Sequence, residues 1–351
     1  MRTVLARDQC LPVAPRTNRR SSSAMRPTAS ELKEMLARAH GPGAVLRLGD
    51  KLCWRIVAMA GMEEYLLRIT GILGLLPEHG GRTLHRLILA VTEGHGAKVS
   101  AAPPGEDRSG NGDGWQRIEL PELHVYIRKG PPEVICELQT RAVVGPKDGW
   151  VPSVLLPVYL RVIETGGLVL HAAAVERDGE AVLLPGKSGA GKSTCCRRIV
   201  PPWRALCDDL CLAVPGSDSG FLVHPLPTWS DLVGKGREGT WHVEQGVYPR
   251  GIFFLEHGEG DELLPLGKAE ASVHLWKAAV GGTLGWRGGL DVAARRSMEE
   301  QILETAMRVV KMLPAFRLRV ARDGAFWKEI EAALTCDSAS ARQHTTCIGD
   351  R

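Results

Sequence analysis

Eight residues constrain this chain more than any other feature. Gly186-Lys187-Ser188-Gly189-Ala190-Gly191-Lys192-Ser193 fits the pattern G-x-x-x-x-G-K-[ST]; it follows the apolar run Ala181-Val182-Leu183-Leu184 and leads into a helix-forming segment. A strand that turns through glycines into a helix is the context this pattern requires. Phosphate can approach a backbone only where side chains are small, so glycines at 186, 189 and 191 leave successive N–H groups free to point at its oxygens. The helix that follows adds the positive end of its dipole. An α/β fold with a mononucleotide phosphate cradle is the expectation.

The expected nucleotide-binding residues are Gly186, Ser188, Gly189, Ala190, Gly191, Lys192, Ser193 and Thr194. Lys192 would reach the β and γ phosphates, the Ser193 hydroxyl would complete the coordination of Mg²⁺, and Thr194 would place a hydroxyl near the α phosphate. ATP is the expected nucleotide, since the sequence has no Asn-Lys-x-Asp guanine signature.

Two carboxylates, Asp208 and Asp209, stand 16 residues beyond Lys192 at the end of the run Trp203-Arg204-Ala205-Leu206-Cys207. In isolation such a pair is a solvated turn or a helix cap. At a strand end beside a phosphate cradle it can divide two tasks: Asp209 holding Mg²⁺ with Ser193, and Asp208 accepting the proton of an attacking hydroxyl. His171, 15 residues before Gly186, falls on a strand expected to pair with the cradle strand. A lone His in an apolar run is usually a core residue; here contact with Asp208 or Asp209 would let it tune a carboxylate or relay a proton.

Four regions organise the chain. Residues 1–29 form an Arg- and Ser-rich leader expected to be disordered, or to lie upstream of a working start at Met25. Residues 30–148 are expected to be an α+β region. A capped helix over 26–40 precedes one or two strands over 44–58, a helix over 63–76, an apolar run at 84–91, a Pro/Gly/Asp loop over 102–114, and strands over 115–129 and 132–138. Residues 149–335 hold the nucleotide-binding domain. It opens with a helix over 151–164. Strands over 168–176 and 181–184 follow, joined by the turn signal Arg177-Asp178-Gly179. A helix over 193–200 stops at Pro201-Pro202, and strands follow at 204–207, 210–214, 221–224 and 251–255. The region ends in a helix over 292–312, a strand at 316–320 and a helix over 325–334. Residues 336–351 are expected to be a disordered tail.

The net charge of +4 lies in the leader, which carries six arginines against Asp8, so the remaining 321 residues sum to −1. That balance gives no electrostatic ground for nucleic-acid binding. No apolar run reaches the roughly 18 residues of a membrane span, and the first thirty residues lack the apolar core of a secretory signal. The nine cysteines make no C-x-x-C pairs, so reduced thiols in a cytoplasmic protein are expected.

The order His171-Ala-Ala-Ala-Val, then the 186–193 motif, then Asp208-Asp209 resembles the HPr kinase/phosphorylase family, which shares its P-loop core with phosphoenolpyruvate carboxykinase. The segments Cys195-Cys-Arg-Arg198, Pro201-Pro-Trp-Arg-Ala-Leu-Cys-Asp-Asp209 and His224-Pro-Leu-Pro-Thr-Trp-Ser230 narrow the likeness to the HPr-kinase-related ScmC family of SynChlorMet cassettes, over roughly 135–266. The resemblance implies a P-loop core of the HPr kinase/PEP carboxykinase type with a mixed sheet. It also implies Mg-ATP, transfer of the γ-phosphoryl group to a Ser or Thr hydroxyl, and Lys192, Asp208, Asp209 and His171 as the catalytic set. A ribosomally made precursor peptide or small protein is the implied acceptor, radical-SAM cassette proteins the implied neighbours, and a homo-oligomer the analogous assembly. Thr194 stands where the bifunctional HPr enzyme carries Glu, and Pro249-Arg250-Gly251-Ile252 only echoes a later signature, so neither phosphorolysis nor HPr as substrate carries over.

The loop His224 to Ser230 has prolines at 225 and 227, with Thr228, Trp229, Ser230 and Asp231 just beyond the strand. It is expected either to line the acceptor side of the site or to be a rigid surface turn. A nucleotide-dependent peptide-binding scaffold and a P-loop ATPase acting on water remain the alternatives to a kinase.

Overall fold

The computed structural model describes residues 27–39, 43–78, 85–91, 115–120, 123–128, 133–138, 150–218, 220–229, 231–232 and 239–335. The expected leader up to residue 26, the loop over 102–114 and the tail from 336 lie outside the described residues.

The chain enters through α1 (Ala29–Arg38), started by a capping box: the Thr28 hydroxyl accepts from the Glu31 N–H at 3.2 Å while the Glu31 carboxylate accepts from the Thr28 N–H at 2.6 Å. There follow β1 (Gly43–Leu48), β2 (Leu52–Ala58), α2 (Glu63–Leu73), β3 (Pro77–Glu78), β4 (His85–Val91), β5 (Trp115–Glu119), β6 (Leu123–Arg128) and β7 (Glu133–Leu138). They form one seven-stranded sheet in the order β3-β1-β2-β4-β7-β6-β5, parallel only at β2-β4 and β4-β7. The single strand expected over 115–129 is a hairpin: Leu120 and Leu123 close it with reciprocal backbone bonds, and Pro121, which has no N–H, explains the break.

Side chains alternate across this sheet as a two-residue period requires. Val57, Ile88, Ala90 and Ile135 pack under Leu32 and Leu36 of α1. Their neighbours Trp54, Ile56, Leu87, Leu89, Val134 and Cys136 face the main core.

The second half begins with α3 (Trp150–Val154) and α4 (Leu156–Glu164), separate helices where one was expected; Pro157 in the first turn of α4 marks the new start. Next come β8 (Leu168–Leu170), β9 (Ala172–Arg177), β10 (Glu180–Pro185), α5 (Lys192–Arg198), β11 (Arg204–Cys207), β12 (Cys211–Pro215), β13 (Phe221–Pro225), β14 (Tyr248–His257), β15 (Glu262–Pro265), α6 (Lys268–Gly282), α7 (Val292–Met312), β16 (Ala315–Val320) and α8 over 327–335. A six-stranded mixed sheet runs β11-β9-β10-β14-β16-β15, with β10-β14 and β14-β16 parallel; β13-β12-β8 form a small antiparallel sheet. In the predicted hairpin turn between β9 and β10, Asp178 (φ 54) and Gly179 (φ 81) are both left-handed, a geometry that matches strand twist.

Helix α6 and strand β15 were not foreseen. The buried face of α6 is Ala271, Ser272, Leu275 and Ala279, small residues that make a faint apolar stripe but allow close approach. The approach is tight: a Cβ on Gly282 would stand 2.5 Å from the Val169 carbonyl oxygen. Helices α5 and α8 cover one face of the six-stranded sheet, with Phe326, Ile330 and Cys195 against Val182, Leu184, Phe253 and Leu255. The other face joins the core that runs on to the seven-stranded sheet. Among the described residues no helix is long and apolar enough to cross a membrane.

Residues 168–177 and 204–215 each pass from one sheet to the other. The first bends at His171 and the second over Asp208-Asp209-Leu210. Pairing on either side, Leu170 with Cys211 and Ala174 with Cys207, sets the two bends at one level.

Candidate functional site

The glycine-rich turn joins the end of β10 to α5. Its glycines serve different needs. Gly189 (φ 80) and Gly191 (φ 100) take left-handed backbone that a side chain would strain. At Gly186 the constraint is space: a Cβ there would meet Ala190 Cβ at 2.9 Å and Leu255 Cβ at 3.3 Å. Lys192 folds back under the turn, its Nζ donating to the carbonyls of Gly186 at 2.8 Å and Lys187 at 3.2 Å. Only 7% of Lys192 is exposed. Burial lowers its pKa, opposed by the charges of Asp209 and then Asp208. Ser193 is half-buried; Ser188 and Thr194 are exposed, and the Thr194 hydroxyl accepts from Arg197 at 3.2 Å.

The bends bring the other expected residues together. His171 Nε2 lies 3.2 Å from Asp209 Oδ1, with both side chains about a third exposed, at 28% and 32%. The histidine therefore meets Asp209 and not Asp208, and its own N–H is fixed to the Ala278 carbonyl of α6 at 3.0 Å. Asp208 Oδ1 accepts a hydrogen bond from the hydroxyl of Thr228.

The 224–230 loop divides its work. His224 is a structural clamp: Nε2 accepts from the Gly49 N–H at 3.0 Å, so Nδ1 donates to the Val243 carbonyl at 2.8 Å, and burial depresses the pKa of this neutral ring. Thr228 faces Asp208, Trp229 packs against the main core, and Ser230 lies outside the described residues.

One site residue escaped sequence reasoning. His257 closes β14, the parallel neighbour of β10, and its Nε2 donates to the Gly189 carbonyl at 2.7 Å. The expected strand ended at residue 255, and the signal missed was the polar pair Glu256-His257 directly after that run.

The thiols nearby are inert. Burial raises the pKa of Cys195 to about 11 and pushes Cys196 still higher, while a hydrogen bond from Cys211 and burial raise Cys207. Among the described residues no group of three or more His, Cys, Asp or Glu is placed to hold a metal. The site thus offers one buried cation in a backbone cradle, facing two carboxylates and hydroxyl oxygens.

Fold and site define a mixed α/β protein with a glycine-rich loop at the end of a parallel strand pair and an acidic corner beside it. The chain belongs to the SynChlorMet cassette protein ScmC family, whose model matches residues 134–335, more than half of the chain, including the whole loop and corner. No curated protein matches it significantly.

Proposed function

We propose that this protein is a cassette kinase with a P-loop core of the HPr kinase type. It binds ATP in the 186–193 loop and phosphorylates a Ser or Thr hydroxyl of a ribosomally made precursor peptide. The observation that carries the reading is the setting of Lys192, buried, bonded to two loop carbonyls and within electrostatic reach of Asp208 and Asp209. Carbonyls are neutral acceptors, and phosphate oxygens, being charged, are stronger partners for an ammonium.

Asp208 orients the acceptor hydroxyl and takes its proton as the hydroxyl oxygen bonds to the γ phosphorus. The bond from that phosphorus to the β–γ bridging oxygen breaks, and ADP leaves. Such transfer depends chiefly on position and electrostatics. Mg²⁺, when bound, supplies neutralisation of the phosphate charge. The residues fit it as a partial set of hard oxygen donors, Ser193 and Asp209, suited to an ion that keeps phosphate and water ligands. His171 holds one Asp209 oxygen and leaves the other for the cation.

Incubation with γ-labelled ATP and the short peptide encoded beside this protein tests the reading, and labelled peptide is the expected product. ATP-dependent capture of unlabelled peptide would replace the kinase with a scaffold. Phosphate release at full rate without peptide would make water the acceptor.

A further inference from the structure

The hydroxyl of Thr228 makes with Asp208 the contact that an acceptor hydroxyl must make with a general base before transfer. This is a built position. Leu226 N–H donates to the Leu210 carbonyl at 3.1 Å and Pro225 pairs with Cys211, so the segment carrying Thr228 is tied by backbone to the segment carrying Asp208. The Thr228 carbonyl in turn accepts from the N–H groups of Asp231 and Leu232, both at 3.0 Å, and the residue is only 9% exposed. Asp208 lies on the Lys192 side of the corner, close enough for its charge to act on that ammonium.

We infer that Thr228 is itself a phosphoryl acceptor, modified by this protein in the absence of peptide. The inference rests on the kinase reading above. Thr228 Oγ1 bonds to the γ phosphorus of ATP, its proton passes to the Asp208 carboxylate, and the bond to the bridging oxygen breaks to release ADP. A hydroxyl fixed in place beside the base has the large effective concentration of an intramolecular reactant. A peptide hydroxyl must displace Thr228 from Asp208 to be phosphorylated in its stead.

Tandem mass spectrometry of the purified full chain, incubated with Mg²⁺ and ATP but no peptide, tests this directly. Phosphothreonine at 228 is expected. The mark should vanish in Thr228→Val and in Lys192→Ala, and return as phosphoserine in Thr228→Ser, which keeps the hydroxyl and guards against misfolding of the valine variant. An unmodified Thr228 in a preparation that still phosphorylates peptide or releases phosphate overturns the inference and leaves the kinase reading standing. A preparation that shows no ATP binding by calorimetry, no phosphopeptide and no released phosphate overturns both.

Discussion

His171 Nε2 and Asp209 Oδ1 stand 3.2 Å apart, each at the bend where its strand passes between the six-stranded and the three-stranded sheet. The histidine has its backbone pinned to α6, so it fixes the carboxylate more than the reverse. His171→Ala should leave Asp209 poorly oriented and lower peptide phosphorylation by roughly 10–100-fold, the usual loss when a residue supporting a ligand is removed. A Mg²⁺ titration checks the assignment, because the half-saturating metal concentration should rise while ATP affinity changes little.

Asp208 and Lys192 should separate by readout. Asp208→Asn keeps the shape and removes the proton acceptor, so transfer should fall by about 10²-fold or more with ATP affinity retained. Lys192→Ala removes the buried cation and should abolish ATP binding. Calorimetry beside a labelled-peptide assay distinguishes the two; equal losses of binding in both variants would contradict the division of roles.

Gly191→Ala tests backbone conformation without crowding. The nearest atom to an added Cβ is His257 Cε1 at 3.9 Å, whereas φ is +100°. The strain should cost about 1–3 kcal/mol, read as a lowered denaturation midpoint together with weakened ATP binding. At Gly186 the same substitution acts by collision with Ala190, so relief should come from Ala190→Gly there and not at Gly191.

Acid should weaken the fold through two buried histidines. Burial, reinforced by Arg161, lowers the pKa of His85 from 6.5 to about 4, and burial lowers that of His224 as well. Both rings stay neutral in the fold and gain protons more readily once unfolded. Their contribution is therefore complete above about pH 6.5 and is lost as pH falls toward 4, since stability rises with pH wherever the unfolded chain binds more protons. Chemical denaturation between pH 7.5 and 4.5 should show this loss. His85→Phe, which keeps a ring beside Trp54, should flatten the profile.

What was legible in the sequence was local. The 186–193 loop, the Asp208-Asp209 pair, the Arg177-Asp178-Gly179 turn and the boundaries of α7 are written in adjacent residues, where glycine conformation and helix period act alone. Helix α6 was invisible because its buried side is mostly small residues and its N-cap, Gly267, offers no side-chain bond. The partners of His171, Asp208 and Gly189 were open or unread because strand pairing across tens of residues chooses them. The same long-range pairing placed His257 beside the loop.

The two bent strands have a mechanical consequence. Residues 168–177 and 204–215 run through both sheets, so the angle between the sheets and the gap between His171 and Asp209 are a single degree of freedom. A ligand that favours one gap sets that angle, and by reciprocity a partner that leans on the three-stranded sheet changes how tightly the ligand is held. The corner is the pivot of a lever whose short arm is a carboxylate and whose long arm is a whole sheet.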